Sequence, residues 1–229
     1  MVKKIDCCSC CNDKSCATIK LNHEQLNLLS NNCCRVSYST GDRIVHSKTF
    51  SSHLAYIRSG LVKEHIDISE NKNRITRLIR QHHYLGLESV FVDKINNYNY
   101  TALEPTEICL IDADIFRSFV RSNGNFSMEI LRSLSRTNLY YVHHFIDFSE
   151  KQVNGRISAL LLYLSQIIYE SNHFTLSLSR QELADMIYVS RESVIRAIRT
   201  FDAEQIIKIK GKNIQILKPD SLAEIAKHC

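Results

Sequence analysis

The segment that most narrows what this chain can fold into is residues 179–217. Ser179-Arg-Gln-Glu182 is a capping box: the serine hydroxyl accepts from the backbone amide three residues on, and the glutamate there reaches back to the serine amide. This predicts a helix whose inner face holds Leu183 and Ile187, with Ala184 small where a second helix passes close. Ser190 is placed to cap that second helix, from Arg191 to about Phe201, with Val194, Ile198 and Phe201 facing inward. Two short helices joined by a tight turn make the helix-turn-helix shape. Ile207 to Ile216 then alternates apolar and polar residues around Lys210-Gly211-Lys212-Asn213, which predicts a β-hairpin.

The outward face of the second helix carries Arg191, Glu192, Ser193, Arg196 and Arg199. The first residues of a recognition helix reach base edges in the major groove. There arginine can bond guanine O6 and N7 together, and glutamate can accept from cytosine N4. Arg191, Glu192 and Arg196 thus have the chemistry for reading bases. Ser179, Arg180 and Arg199 suit phosphates, which fix register rather than sequence. Ser190 and Ser193 complete the predicted DNA face, and Lys208, Lys210 and Lys212 make the hairpin a basic wing over the backbone. The plain alternative is a solvated helix pair beside an unrelated hairpin. Capping box, spacing, arginines and wing in this order argue against it.

Upstream, from about Cys33 to Ile111, short apolar runs with β-branched residues are broken by Gly41-Asp42, Ser59-Gly60, Asn71-Lys72-Asn73 and Asn96-Asn97, the pattern of an antiparallel roll or barrel. Asn22 to Ser30 and Asp112 to Val120 read as helices. Phe126 to Ser149 reads as a longer one, in which Leu131, Leu134, Asn138, Tyr141, Phe145 and Phe148 alternate three and four apart as a coiled-coil seam. Leu139, Val142 and Ile146 form a second stripe. A helix with two apolar faces can bury one in its own domain and offer the other to a second copy. Another apolar helix spans 154–172 and a short strand His173 to Leu178. The expected fold is α+β: a cysteine-rich arm (1–20), a β-roll (21–122), a dimerisation helix (123–150) and a winged helix-turn-helix (151–229).

Several function classes fall away. No apolar run reaches the ~18–20 residues of a membrane span, and the opening Met-Val-Lys-Lys-Ile-Asp leads into cysteines rather than a secretory core, so the cytoplasm is the expected compartment. The formal charge of +5 permits nucleic-acid binding without demanding it. There is no nucleotide-binding glycine loop and no Ser/His/Asp set, so an enzyme is not expected. His143 and His144 read as surface or packed residues rather than metal ligands.

Ser179 to Arg196 (SRQELADMIYVSRESVIR) resembles the helix-turn-helix of the CRP/FNR family of transcription regulators, with Arg191, Glu192 and Arg196 at that family's base-reading positions. Leu54-Ala-Tyr-Ile-Arg-Ser-Gly-Leu-Val-Lys63 and Tyr84-Leu-Gly-Leu-Glu88 are similar to segments of its β-roll, and the likeness covers nearly the whole chain. The resemblance implies a homodimer on double-stranded DNA with a near-palindromic site, and RNA polymerase as a partner. Two departures stand out. Tyr188 occupies a turn position where the family usually has glycine. The arginine-serine pair with which cyclic-nucleotide-binding members hold the phosphate is absent from Asn97-Tyr-Asn-Tyr-Thr-Ala-Leu103, and a buried phosphate without a cationic partner is poorly stabilised. No cAMP binding is expected.

Nine cysteines in a reducing compartment are not a disulfide framework. Five of them, Cys7, Cys8, Cys10, Cys11 and Cys16, fall within ten residues, which reads as metal binding or redox sensing. Cys7, Cys10 and Cys16 have the spacing used by the oxygen-sensing FNR branch. That branch takes a fourth ligand from the roll after an Ala-Leu-Glu run, as in Ala102-Leu-Glu-Pro-Thr-Glu-Ile-Cys109. The resemblance implies a 4Fe–4S cluster on Cys7, Cys10, Cys16 and Cys109, lost to oxygen or nitric oxide. Zinc also takes four thiolates, a thiol switch needs only two, and Cys8 and Cys11 compete as ligands. Cys33 and Cys34 read as small strand residues. Besides the cluster-bearing regulator, two readings stay open: a regulator with another small effector in the roll and no cluster, and a cysteine-based redox protein or electron carrier.

Overall fold

In the computed structural model, which describes residues 17–69 and 72–228, the chain divides into two units at Asn138–Leu139. The first holds two four-stranded sheets, antiparallel throughout. One has the order β1 (Cys33–Tyr38), β8 (Thr106–Asp112), β3 (His53–Ser59), β6 (Tyr84–Leu85). The other has β2 (Arg43–Val45), β7 (Asn99–Ala102), β4 (Leu61–Ser69), β5 (Lys72–Arg80). This is the expected roll.

The run Leu54-Ala-Tyr-Ile57 lacks the alternation of a half-exposed strand because β3 is buried on both sides. Ala55 and Ile57 join Val62, Ile79, Tyr100 and Ile108 in a core contributed by both sheets. Leu54 and Tyr56 point the other way, into a second core with Leu29, Phe116, Phe119, Phe126 and Ile130. That core lies under α1 (His23–Asn31), α2 (Leu87–Phe91), α3 (Ala113–Ser122) and the first half of α4 (Gly124–Glu150). Caps set the helix starts. Asn22 accepts from Gln25 N at 2.8 Å while Gln25 returns a contact to Asn22 N, and Asp112 accepts from the amides of Asp114 and Ile115.

The second unit begins with the rest of α4. It continues through α5 (Val153–Tyr163), β9 (His173–Thr175), α6 (Arg180–Ile187), α7 (Arg191–Ala203), β10 (Ile207–Lys210), β11 (Asn213–Ile216) and α8 (Pro219–His228). The helix expected over 154–172 ends as an α-helix at Tyr163 and widens into a π-helical turn over Leu164–Ile168, where Tyr169 N donates to Leu164 O at 2.8 Å. The hairpin β10–β11 pairs Lys210 with Asn213 across Gly211-Lys212, and β9 adds a third strand through Phe174 opposite Ile214.

Along α4 the seam residues divide. Leu131, Asn138 and Phe145 are exposed, whereas Leu134 is partly buried against the roll's helical core and Tyr141 is half-buried. The side chain of Phe148 lies outside the described residues. Among the described side chains, the exposed large apolar residues of α4 are Met128, Leu131, Leu139, Val142, Phe145 and Ile146, which span roughly 120° of arc at ~100° per residue. The open face therefore combines Leu131 and Phe145 of the first stripe with the whole of the second. Phe126 and Ile130 turn Leu134 inward because they anchor the adjoining face of the helix in the core.

The β3–β4 corner shows how tightly the roll is specified. Gly60 sits at φ +100°, and a Cβ there would lie 2.4 Å from Thr106 Oγ1 and 2.8 Å from Pro105 O. Gly60→Ala should cost about 3 kcal/mol from backbone strain plus overpacking, read as a lower urea midpoint for unfolding. An unchanged midpoint would show that the corner relaxes freely.

Candidate nucleic-acid interface

The second unit builds its outward face from two capped helices. Ser179 Oγ accepts from Glu182 N at 3.2 Å and Ser179 N donates to Glu182 Oε2 at 2.8 Å, completing the capping box. Ser190 Oγ accepts from Ser193 N at 3.1 Å and lies 2.9 Å from Ser193 Oγ. In both caps the oxygen acts as acceptor toward the helix amide. Ser179 Oγ thereby keeps its own proton available to donate. Leu183, Ala184 and Ile187 of α6 are buried, as are Val194, Ala197, Ile198 and Phe201 of α7. With Ala184 fully enclosed, the two helices approach closely, as the sequence predicts.

Burying that side of α7 leaves Arg191, Glu192, Arg196 and Arg199 exposed, with Ser193 half-buried at the edge. They occupy roughly 140° of the helix circumference. Among the described residues none of these four charged side chains is engaged in a hydrogen bond or ion pair within the chain. Lys208, Lys210 and Lys212 on the hairpin are likewise exposed. An α-helix about 10–12 Å across matches a B-DNA major groove about 12 Å wide. Uncommitted donors on such a helix can bond base edges without first breaking internal contacts.

Arg180 behaves differently. Its Nη2 donates to Gly211 O at 3.0 Å, and burial pulls its pKa down from the ordinary guanidinium value. It ties the start of α6 to the tip of the wing, where Gly211 takes φ +63°. The guanidinium has further donors for a phosphate, but the structure also gives it a local role that sequence spacing did not reveal.

The turn between α6 and α7 carries a bulky residue in the left-handed region: Tyr188 has φ 60° and ψ 42°, at a cost of roughly 1–2 kcal/mol. Its ring meets the His144 ring edge-on at 6.3 Å. His144 stacks on Tyr140 at 5.4 Å, and Tyr140 in turn contacts Tyr163 at 5.8 Å. Burial pushes the His144 pKa down to about 4, against an opposing pull from Asp147, so the ring is neutral at neutral pH. Arg156 bridges the same region, donating from Nε to Lys151 O at 2.7 Å and from Nη1 to Ile187 O at 3.4 Å. A cleft of about 600 Å³ beside the start of α7 is lined by Gln152, Asn154, Arg156, Tyr188, Ser190 and Ser193. None of Gln152, Asn154 and Arg156 was singled out from sequence, because they are remote from the helix-turn-helix in the chain.

In the first unit Cys109 is buried on β8, opposite Arg35 of β1 and Tyr56 of β3. Ile108 and Leu110 face the core between the sheets, so Cys109 and Ile111 face the helical core. Ala17 belongs to that same core. Cys7, Cys10 and Cys16 lie outside the described residues. Cys33 is buried and Cys34 half-buried, as small strand residues. Among the described residues no group of three or more His, Cys, Asp or Glu side chains is arranged to hold a metal, and no helix is long and apolar enough to cross a membrane.

Glu64, almost wholly buried, accepts from Thr76 Oγ1 at 2.7 Å and lies 3.5 Å from Arg77 Nη2. Arg77 Nη1 donates to Thr137 Oγ1 of α4 at 2.8 Å. Burial raises the Glu88 carboxyl, which accepts from Tyr100 Oη at 3.4 Å. Asn99, from the segment that lacks the phosphate-holding arginine, accepts from Ser47 N at 3.0 Å and donates to Asp67 at 3.0 Å.

Two family models match this architecture in order: a cyclic nucleotide-binding domain over residues 35–123 and a Crp-like helix-turn-helix domain over residues 155–225. The chain belongs to the CRP/FNR family of transcription regulators. It is 25% identical to the fumarate and nitrate reduction regulatory protein of Yersinia pestis, over 97% of this chain and 90% of that one. It is 24% identical to the HTH-type transcriptional regulator ArcR of Staphylococcus epidermidis, over 79% and 81% respectively. In fold it is similar to FixK2 from Bradyrhizobium japonicum (TM-score 0.76, 16% identity, 84% of this chain and 96% of that). It is also similar to a CRP/FNR-family regulator from Eubacterium rectale (TM-score 0.75, 18% identity, 91% and 96%). The CRP/FNR-type chain is a DNA-binding regulator and not an enzyme.

The caps hold this face together. Ser179→Ala removes the hydroxyl that satisfies Glu182 N and should destabilise the second unit by about 1 kcal/mol, read as a lower thermal midpoint. No shift would mean that solvent replaces the cap at no cost.

Proposed function

We propose that this CRP/FNR-type regulator acts as a homodimer on a near-palindromic duplex, with Arg191, Glu192 and Arg196 reading bases in the major groove. The supporting observation is the uncommitted, exposed set of charged side chains on α7. In this reading Ser179, Arg180, Ser190, Ser193, Arg199, Lys210 and Lys212 hold phosphates, which orient the helix without carrying sequence information. The exposed apolar stripe of α4, from Leu131 to Ile146, is the surface for the second copy. A two-fold pair of recognition helices then meets two half-sites about one helical turn apart. RNA polymerase follows as a partner by family resemblance.

For the signal, the proposal is a 4Fe–4S cluster on Cys7, Cys10, Cys16 and Cys109. Cys109 faces the same helical core as Ala17, the residue that follows Cys16 in the sequence. A buried thiolate in apolar surroundings needs a positive partner, which iron supplies. Relatives named as fumarate and nitrate reduction regulators lend support at 25% identity or below. Cyclic AMP is not the effector in this reading: residues 97–103 hold no arginine for a cyclic phosphate, and Arg77 already serves Glu64 and Thr137, so the phosphate would lack a ready cation. The reading without a cluster, in which another small effector acts through the roll, predicts iron-free protein that still binds DNA.

Two experiments test this. Arg196→Ala should cost about 1–3 kcal/mol at one base pair and relax the preference there, measured by binding to a duplex set with each base substituted; an unchanged preference rules Arg196 out as a base reader. Protein purified without oxygen should carry iron and sulfide, and Cys109→Ser should lose both. Full iron content in Cys109→Ser would remove Cys109 from the ligand set.

A further inference from the structure

Tyr188 occupies a conformation that glycine adopts freely and a bulky residue does not. Strain of this kind persists only where the surroundings compensate it, and the side chain supplies the compensation here. The Tyr188 ring packs edge-on against His144, which lies in the C-terminal half of α4 and stacks on Tyr140. Tyr140 carries the contact on to Tyr163 of α5. Edge-to-face and stacked rings are favourable arrangements beyond the area they bury. The turn is held a second time by Arg156, whose Nη1 reaches Ile187 O while Nε reaches Lys151 O at the end of α4.

We infer that Tyr188 is a positioning residue for DNA binding, clamping the turn before the recognition helix onto the C-terminal half of α4. Ser190, two residues further on, caps α7, and Arg191 and Glu192 follow it immediately. A rotation about the backbone of residue 188 is therefore passed directly to the base-reading side chains. Glycine would relieve the strain and release the clamp. Tyrosine accepts the strain and fixes the turn. The same α4 segment carries the exposed Leu139, Val142, Phe145 and Ile146, so the clamp links the proposed subunit surface to the proposed DNA surface through three rings. The inference rests on the proposed base contacts for its consequence, but not for the clamp itself.

The test uses the full chain and a duplex selected by the protein from a random pool, with Tyr188→Gly, Tyr188→Phe, His144→Ala and the Tyr188→Gly/His144→Ala double variant. Glycine is compatible with the left-handed turn, so the fold should survive. Tyr188→Gly should weaken duplex binding by about three- to tenfold, the size of one aromatic pair, and speed hydrogen exchange over residues 140–150. Tyr188→Phe should keep both near the parent values. His144→Ala should lose as much as Tyr188→Gly, and the double variant no more than the worse single one. Unchanged exchange in Tyr188→Gly, failure of Tyr188→Phe to preserve binding, or additive losses in the double variant would overturn the clamp. If the parent selects no duplex at all, the proposed base contacts fail, while the exchange comparison still decides whether the clamp exists.

Discussion

The close approach of α6 and α7 underlies everything the second unit can do. It requires a side chain no larger than that of Ala184 at the crossing and a left-handed residue at 188 to reverse the chain in so few residues. Once Leu183, Ile187, Val194, Ile198 and Phe201 are buried between the helices and the rest of the unit, the remaining arc of α7 has no choice but to face outward. The exposure of the arginines is thus a by-product of packing: they face outward because the apolar residues of the same helix do not. The buried face also gives the second helix the rigidity that a recognition element needs, since side chains packed in rotamer minima resist small rotations.

The roll obeys a comparable logic with a different period. Alternate residues of β3 and β8 go to two cores, one between the sheets and one under the helices. Period-two alternation sends Cys109 to the helical side with Ile111, whereas a slip of one residue would have sent it between the sheets. On the neighbouring sheet Glu64 is buried, and Arg77 is committed to it and to Thr137 of α4. The same stretch of chain, residues 35–123, matches the cyclic nucleotide-binding family model.

The long helix serves both units. Its first half contributes Phe126 and Ile130 to the helical core of the roll, and its second half contributes Tyr140 and His144 to the aromatic cluster of the second unit. What it leaves exposed is an apolar stripe, which costs solvation unless covered. One packed face and one open one explain why the heptad pattern read from sequence was only part of the stripe: Leu134 and Tyr141 satisfy the three-four spacing but are partly buried.

Local signals determined much of this protein. Capping boxes, the alternation of Ile207 to Ile216 and the spacing of inward residues in α6 and α7 are short-range features whose physics is complete within a few residues, so the helix-turn-helix, its wing and its exposed arginines were legible in the sequence. So was the roll, from its turn residues and β-branched runs. Tertiary structure alone decided which α4 stripe stays open, that Arg180 is tied to Gly211, that α5 ends in a π-turn, and that Tyr188 meets His144. Each of these depends on segments far apart in the chain being brought together, and neither residue periodicity nor capping chemistry specifies which distant side chain will fill a given contact.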